Sequence, residues 1–144
     1  YFRELQSFVA QRGAEKYVLF LGDVSGDKLF ELYAEAKIFL LPSVEVGGAF
    51  EGFGLVLLEA NAAGIPVIGT TPSGMDDIIT DVQNGFLVRQ GDVGGMKNFL
   101  EWLLQDPVLL GEMSRQSIAR ARAFSWDRTV ARYVVRYDEI LPRS

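Results

Sequence analysis

Apolar residues along this chain alternate between a helical repeat and short continuous runs. Phe2, Leu5, Phe8 and Val9 recur at helical spacing, and Gly13 ends that pattern. The run Tyr17 to Leu21, closed by Gly22, predicts a buried strand. Lys37 to Leu41, closed by Pro42 and Ser43, predicts a second. Between them Ser25 is placed to cap a helix whose inner face is Leu29, Phe30, Leu32, Tyr33 and Ala36. A further helix is predicted from Gly54 to Ala63, with Gly64 as its left-handed C-terminal residue. Ile65 to Gly69 reads as a strand, Thr71 to Gly74 as a turn and Met75 to about Thr80 as a short helix. After a turn at Gly85, Phe86 to Val88 reads as the fourth strand. Asp92 is placed to cap a helix reaching about Leu104, and Asp106-Pro107 supplies a cap and a first-turn proline for the next. That helix ends near Phe124. Ser125 then caps a last one, whose apolar face is Val130, Tyr133, Val134, Tyr137 and Leu141.

Apolar strands alternating with helices imply parallel strands covered on both faces, so the fold class expected is α/β, a doubly wound sheet. At 144 residues the chain is expected to be a single domain, 1–144. Ligands of such sheets sit beyond the carboxyl ends of the strands. The segments 22–25, 43–54, 70–74 and 88–92 all follow predicted strands, and the glycines gather there.

Composition narrows the chemistry. Cysteine and histidine are both absent, which removes thiolate nucleophiles, imidazole bases and Cys- or His-based metal sites. A net charge of −5 argues against a nucleic-acid partner. The charge is uneven, however: residues 115–144 carry seven arginines and three acids, whereas the remainder carries seven basic and sixteen acidic side chains. Within that tail Arg128, Arg132 and Arg136 fall at i, i+4 and i+8. Such a row reads as a solvated helix face, as a contact for an acidic partner domain, or as a peripheral contact with an anionic membrane surface. No apolar run reaches the length of a membrane span, and no leader peptide is visible.

The stretch with the most chemistry is Glu51-Gly52-Phe53-Gly54-Leu55-Val56-Leu57-Leu58-Glu59. Glycines at 52 and 54 allow a sharp bend and a close approach of ligand to backbone. A helix starting near Gly54 offers N–H groups and its positive pole to a phosphate. Glu51 would lie in the loop beside that anion, and Glu59 about 6 to 8 Å further along the axis. Two acids so separated do not share a proton or a metal. They suit hydroxyl groups at two places on an extended ligand with a phosphate between them. Read alone, the spacing is a weak motif, and a loop charge and a solvated helix charge are the better account of it.

Seven short motifs together resemble one family. Phe20-Leu21-Gly22, Leu41-Pro42-Ser43, Glu51-Gly52-Phe53-Gly54-Leu55, Leu58-Glu59-Ala60, Ala63-Gly64-Ile65-Pro66-Val67-Ile68, Gly85-Phe86-Leu87-Val88 and Phe124-Ser125-Trp126 occur in the order seen in the C-terminal, donor-binding half of retaining GT-B glycosyltransferases of group 1. The resemblance covers nearly the whole chain. It implies a Rossmann-like half of a two-domain enzyme, with a nucleotide sugar such as a UDP- or GDP-hexose as substrate and no metal or other cofactor. By the same resemblance Glu51 accepts a donor-sugar hydroxyl in the catalytic centre, while Gly52, Phe53, Gly54 and Leu55 surround the distal phosphate. Glu59 takes the ribose hydroxyls, Gly22, Asp23 and Val24 lie along the base, and Gly74 lies near the sugar. An N-terminal acceptor-binding domain of the same protein and a cytoplasmic location are implied as well.

The chain departs from the family pattern at three places. Seven residues separate Ser43 from Glu51 where the family usually has two or three, and Ser73-Gly74-Met75-Asp76-Asp77 stands where Gly-Gly-x-Pro-Glu is usual. The first two strands of the family's donor domain, with the Arg and Lys that clamp the diphosphate, have no counterpart, so the chain is expected to be part of a longer protein. Without them the strand at 17–21 must pair directly with 37–41 or leave a gap in the sheet. A nucleotide-sugar hydrolase or epimerase on the same scaffold is one alternative function. A non-catalytic flavodoxin-like module is another, but of the acids and lysine that a receiver domain needs only Asp23 is in place.

Overall fold

The computed structural model describes residues 1–45, 47–48 and 52–141. They form two compact units, residues 1–32 and 33–144.

The first unit holds helix α1 (Phe2–Gln11) and most of helix α2 (Gly26–Glu35). Ser25 does cap α2, its hydroxyl accepting from the Lys28 amide at 3.3 Å. The expected strand at Tyr17 to Leu21 does not form. The segment is irregular, Tyr17 is 77% and Leu19 79% exposed, and no strand of the sheet pairs with it. A run of apolar residues becomes a strand only when a neighbour takes its backbone hydrogen bonds, and among the described residues none is there to do so. One aromatic contact, Phe2 edge-on to Phe20 at 5.4 Å, holds the segment to α1.

The second unit carries the sheet. Strands β1 (Phe39–Leu41), β2 (Val67–Thr71) and β3 (Gly85–Arg89) are parallel in the order β1-β2-β3, with Phe39 opposite Val67 and Val67 opposite Gly85. Helix α3 (Leu55–Ala62) links β1 to β2, and a 3-10 turn (Gly74–Asp77) follows β2. Helices α4 (Val93–Gln105), α5 (Pro107–Ala123) and α6 (Trp126–Ile140) follow β3.

Strand periodicity divides the core. Val67 faces Leu57, Ala60, Ile65, Met75, Ile78 and Ile79, whereas its neighbour Ile68 faces Phe86, Leu103 and Met113 on the other side. The fold is thus an α/β, Rossmann-like arrangement with helices on both faces of a parallel sheet.

The capping expectations divide. Asp92 accepts from the Gly95 amide at 2.8 Å, Asp106 from the Leu109 amide at 2.9 Å, and Gly64 adopts φ +79° after the last turn of α3. Ser125 occupies the N-cap position of α6, but its side chain makes no capping bond. The face expected to be inner on α2 is at best half-buried, with Phe30 73% exposed, and the apolar faces of α1 and α6 are present but not buried; none of the three helices buries any residue among those described. Helical spacing sets which residues share a face. Burial needs a second layer as well.

Candidate functional site

The carboxyl ends of the three strands are bound into one rim. The Thr70 hydroxyl donates to the Ser43 carbonyl at 2.6 Å, joining the ends of β2 and β1. Gln90, just past β3, accepts from the Glu45 amide at 2.8 Å and donates to the Pro72 carbonyl at 3.2 Å. The 3-10 turn is locked to the same rim by a reciprocal cap: Ser73 accepts from the Met75 amide, and Asp76 accepts from the Ser73 amide and the Thr71 hydroxyl.

Against this rim lies the start of α3. Gly54 is its N-cap at φ +79°, a conformation that costs a residue with a Cβ roughly 1 to 2 kcal/mol. The buried Gly54 turns the chain into the helix and its carbonyl accepts from the Leu57 amide at 2.8 Å, so that the Leu55 and Val56 amides are the ones at the helix end. No acidic residue occupies the first turn of the helix itself, where it would offset the positive pole. Gly74 fits directly against the incoming loop. A Cβ at 74 would fall on the Gly52 carbonyl and within 2.9 Å of the Phe53 Cα, so glycine is required by close approach. The expected site residues Gly52, Phe53, Gly54, Leu55 and Gly74 are therefore brought together.

Glu59 lies just over one turn down the same helix, exposed, with one carboxylate oxygen accepting from the Tyr33 hydroxyl at 3.0 Å. Tyr33 is fixed by packing on Phe39 and the core beneath it. Its hydroxyl is pushed up to about 12, first by burial and then by the hydrogen bond and negative charge of Glu59, so it stays a donor at any physiological pH. Sequence reasoning placed Tyr33 only on an inner helix face and missed this role. Twenty-six positions separate the two residues, and no local spacing signals the pair.

Two expectations are not joined to this cluster. Glu51 lies outside the described residues. Gly22, Asp23 and Val24 belong to the first unit, where Gly22 takes φ +64° in an exposed bend after the irregular segment. Among the described residues no group of three or more acidic side chains could hold a metal.

Beside the first turn of α3 is a cavity of about 470 Å³, lined by Phe53, Leu55 and Leu58 on one side and by Phe124, Trp126, Thr129, Arg132 and Tyr133 on the other. Its walls are apolar apart from Thr129 and Arg132. A cavity so lined suits an apolar occupant better than a phosphate.

Residues 1–124 match the family described as glycosyl transferases group 1. The chain belongs to that family. Among curated group 1 relatives, D-inositol 3-phosphate glycosyltransferase of Arthrobacter sp. (strain FB24) is 33% identical over 89% of this chain and 29% of its own length. N-acetyl-alpha-D-glucosaminyl L-malate synthase of Bacillus anthracis is 37% identical over 88% of this chain and 32% of its own length. Among solved structures, the pneumococcal O-GlcNAc transferase GtfA in complex with UDP and GlcNAc superposes with a TM-score of 0.74 at 26% identity, covering 98% of this chain and 28% of GtfA. This group 1 chain thus spans about a third of the length of the relatives it matches. The resemblance in its motifs and the GT-B neighbours of its fold agree.

Proposed function

We propose that this chain is the donor-binding part of a retaining glycosyltransferase, taking a nucleoside diphosphate hexose whose distal phosphate rests on the amides at the start of α3. The observation that carries the reading is the juncture of Gly52 and Gly74, which sets the turn into α3, with the Glu59 carboxylate about 6 to 8 Å along the helix. That spacing fits a diphosphate and a ribose. Glu59, its second oxygen held by Tyr33, accepts from the ribose hydroxyls. The UDP carried by GtfA supports the ligand class.

In this reading Glu51 accepts a hydroxyl of the transferred sugar, and the Gly22-Asp23-Val24 bend runs along the base. As the glycosidic bond breaks, negative charge grows on the diphosphate. Helix amides aimed at it stabilise that charge more than they stabilise the bound substrate, and this lowers the barrier. No metal is required in this scheme. An acceptor-binding domain of the same protein supplies the second substrate and covers the apolar faces of α1 and α6. The reaction takes place in the cytoplasm, and a peripheral membrane contact through the α6 arginines is compatible with it.

The roles of the two glutamates are separable. Glu59→Ala should lower nucleoside diphosphate and nucleotide-sugar affinity together, whereas Glu51→Ala should leave nucleoside diphosphate affinity almost unchanged and reduce kcat. Calorimetry and initial rates on the complete protein test this. Loss of nucleoside diphosphate affinity with kcat retained in Glu51→Ala would show the assignment to be reversed.

A further inference from the structure

We propose that Arg120 and Phe124, on and just beyond α5, form a brace that sets the position of the Gly52 to Gly54 turn and thereby the grip of the site on the second phosphate of its ligand. The proposal rests on the donor-site reading above. Phe53 is the only side chain of the turn, since its neighbours are glycines, and its ring meets Phe124 edge-on at 5.9 Å. Phe124 in turn lies under the Arg120 guanidinium, 5.0 Å from the ring centroid. That guanidinium is not free to swing. Its Nε donates to the Ile78 carbonyl at 2.9 Å and an Nη to the Asp77 carbonyl at 2.6 Å, both at the end of the 3-10 turn. The beginning of the same 3-10 turn is Gly74, against which Gly52 is seated.

These contacts close a ring. From Phe53 it passes through Phe124 and Arg120 to the end of the 3-10 turn, and back through Gly74 to Gly52. The turn is therefore held from both ends of one short element, although it has only one side chain to be held by. Amides that bind a phosphate must be placed to within about half an ångström. Opening the ring at Arg120 or Phe124 removes that constraint while leaving every residue of the donor site itself unchanged. Both are positioning residues, not catalytic ones.

The test compares nucleoside monophosphate and diphosphate affinity, using UMP and UDP, GMP and GDP, and AMP and ADP, on the complete protein. The difference between the two members of a pair reports the second phosphate alone. Arg120→Met and Phe124→Leu should lower diphosphate affinity about tenfold while monophosphate affinity stays within about twofold. Phe124→Tyr, which keeps the ring, should behave as the parent does. Glu59→Ala should lower both members of a pair equally. Equal losses for monophosphate and diphosphate in the brace variants, or no loss of diphosphate affinity, overturn the brace. If Glu59→Ala alters neither ligand, or if none of the three diphosphates binds, the donor-site reading fails and the brace with it.

Discussion

Gly54 and Gly74 stand where a Cβ is not accommodated. At Gly54 an alanine would have to adopt φ +79°, with its Cβ 3.1 Å from Leu57. At Gly74 it would displace the Gly52 backbone. Each substitution should cost roughly 1 to 3 kcal/mol of stability. Urea titration measures that cost, and values within about 0.5 kcal/mol of the parent would show that the juncture is looser than described. Both should also weaken nucleoside diphosphate binding.

Tyr33 gives a pH signature. Its hydroxyl titrates near 12 in the folded chain and near 10 when unfolded, so the unfolded state loses its proton first. The stabilisation is complete below pH 10 and is lost as pH rises through 12. Phenolate absorbance should show a late component near pH 12 that is absent in Tyr33→Phe. A Tyr33→Phe titration superimposable on the parent's would contradict the pairing with Glu59.

Among the elements, the helix caps separate residues that bond from residues that merely stand in position. Asp106→Ala removes the acceptor for the Leu109 amide and should cost about 1 kcal/mol, seen as a lower Tm. Ser125→Ala should cost less than half of that, since the Ser125 hydroxyl makes no capping bond. Equal losses at the two positions would overturn the distinction.

What was legible in the sequence follows the same line. The strands β2 and β3, the helix α3 and its Gly64 terminus are specified by local spacing together with burial, and they appear within a few residues of their expected positions; β1 also forms where expected, but it is not the buried strand the run predicted, since Leu40 is exposed. Tyr17 to Leu21 has the composition of a strand but no neighbour, and the faces of α1 and α6 have the right period but no cover. The Tyr33 to Glu59 hydrogen bond and the Arg120, Phe124 and Phe53 contacts join residues far apart in sequence, where no period could reveal them.

At the scale of the whole molecule the unburied side chains matter most. Trp126 is 82% exposed and Phe30 73% exposed, and the apolar face of α6 is open along its length. Exposed apolar surface of this extent is a site of association. The chain by itself is therefore expected to show no transferase activity and only weak nucleoside diphosphate binding. Turnover by these 144 residues alone would refute the need for a second domain. The complete protein should remain active in excess chelator. Loss of activity with chelator and its rescue by Mn²⁺ or Mg²⁺ would overturn the metal-free scheme. The central claim, that α3 presents a phosphate-binding terminus and a ribose-binding carboxylate to one ligand, is tested most directly by calorimetry of UDP, GDP and ADP on the complete protein and on its Glu59→Ala variant. The account predicts that at least one of the three binds, and that the substitution weakens its binding by roughly 1.5 to 3 kcal/mol. Binding unchanged by Glu59→Ala would contradict it.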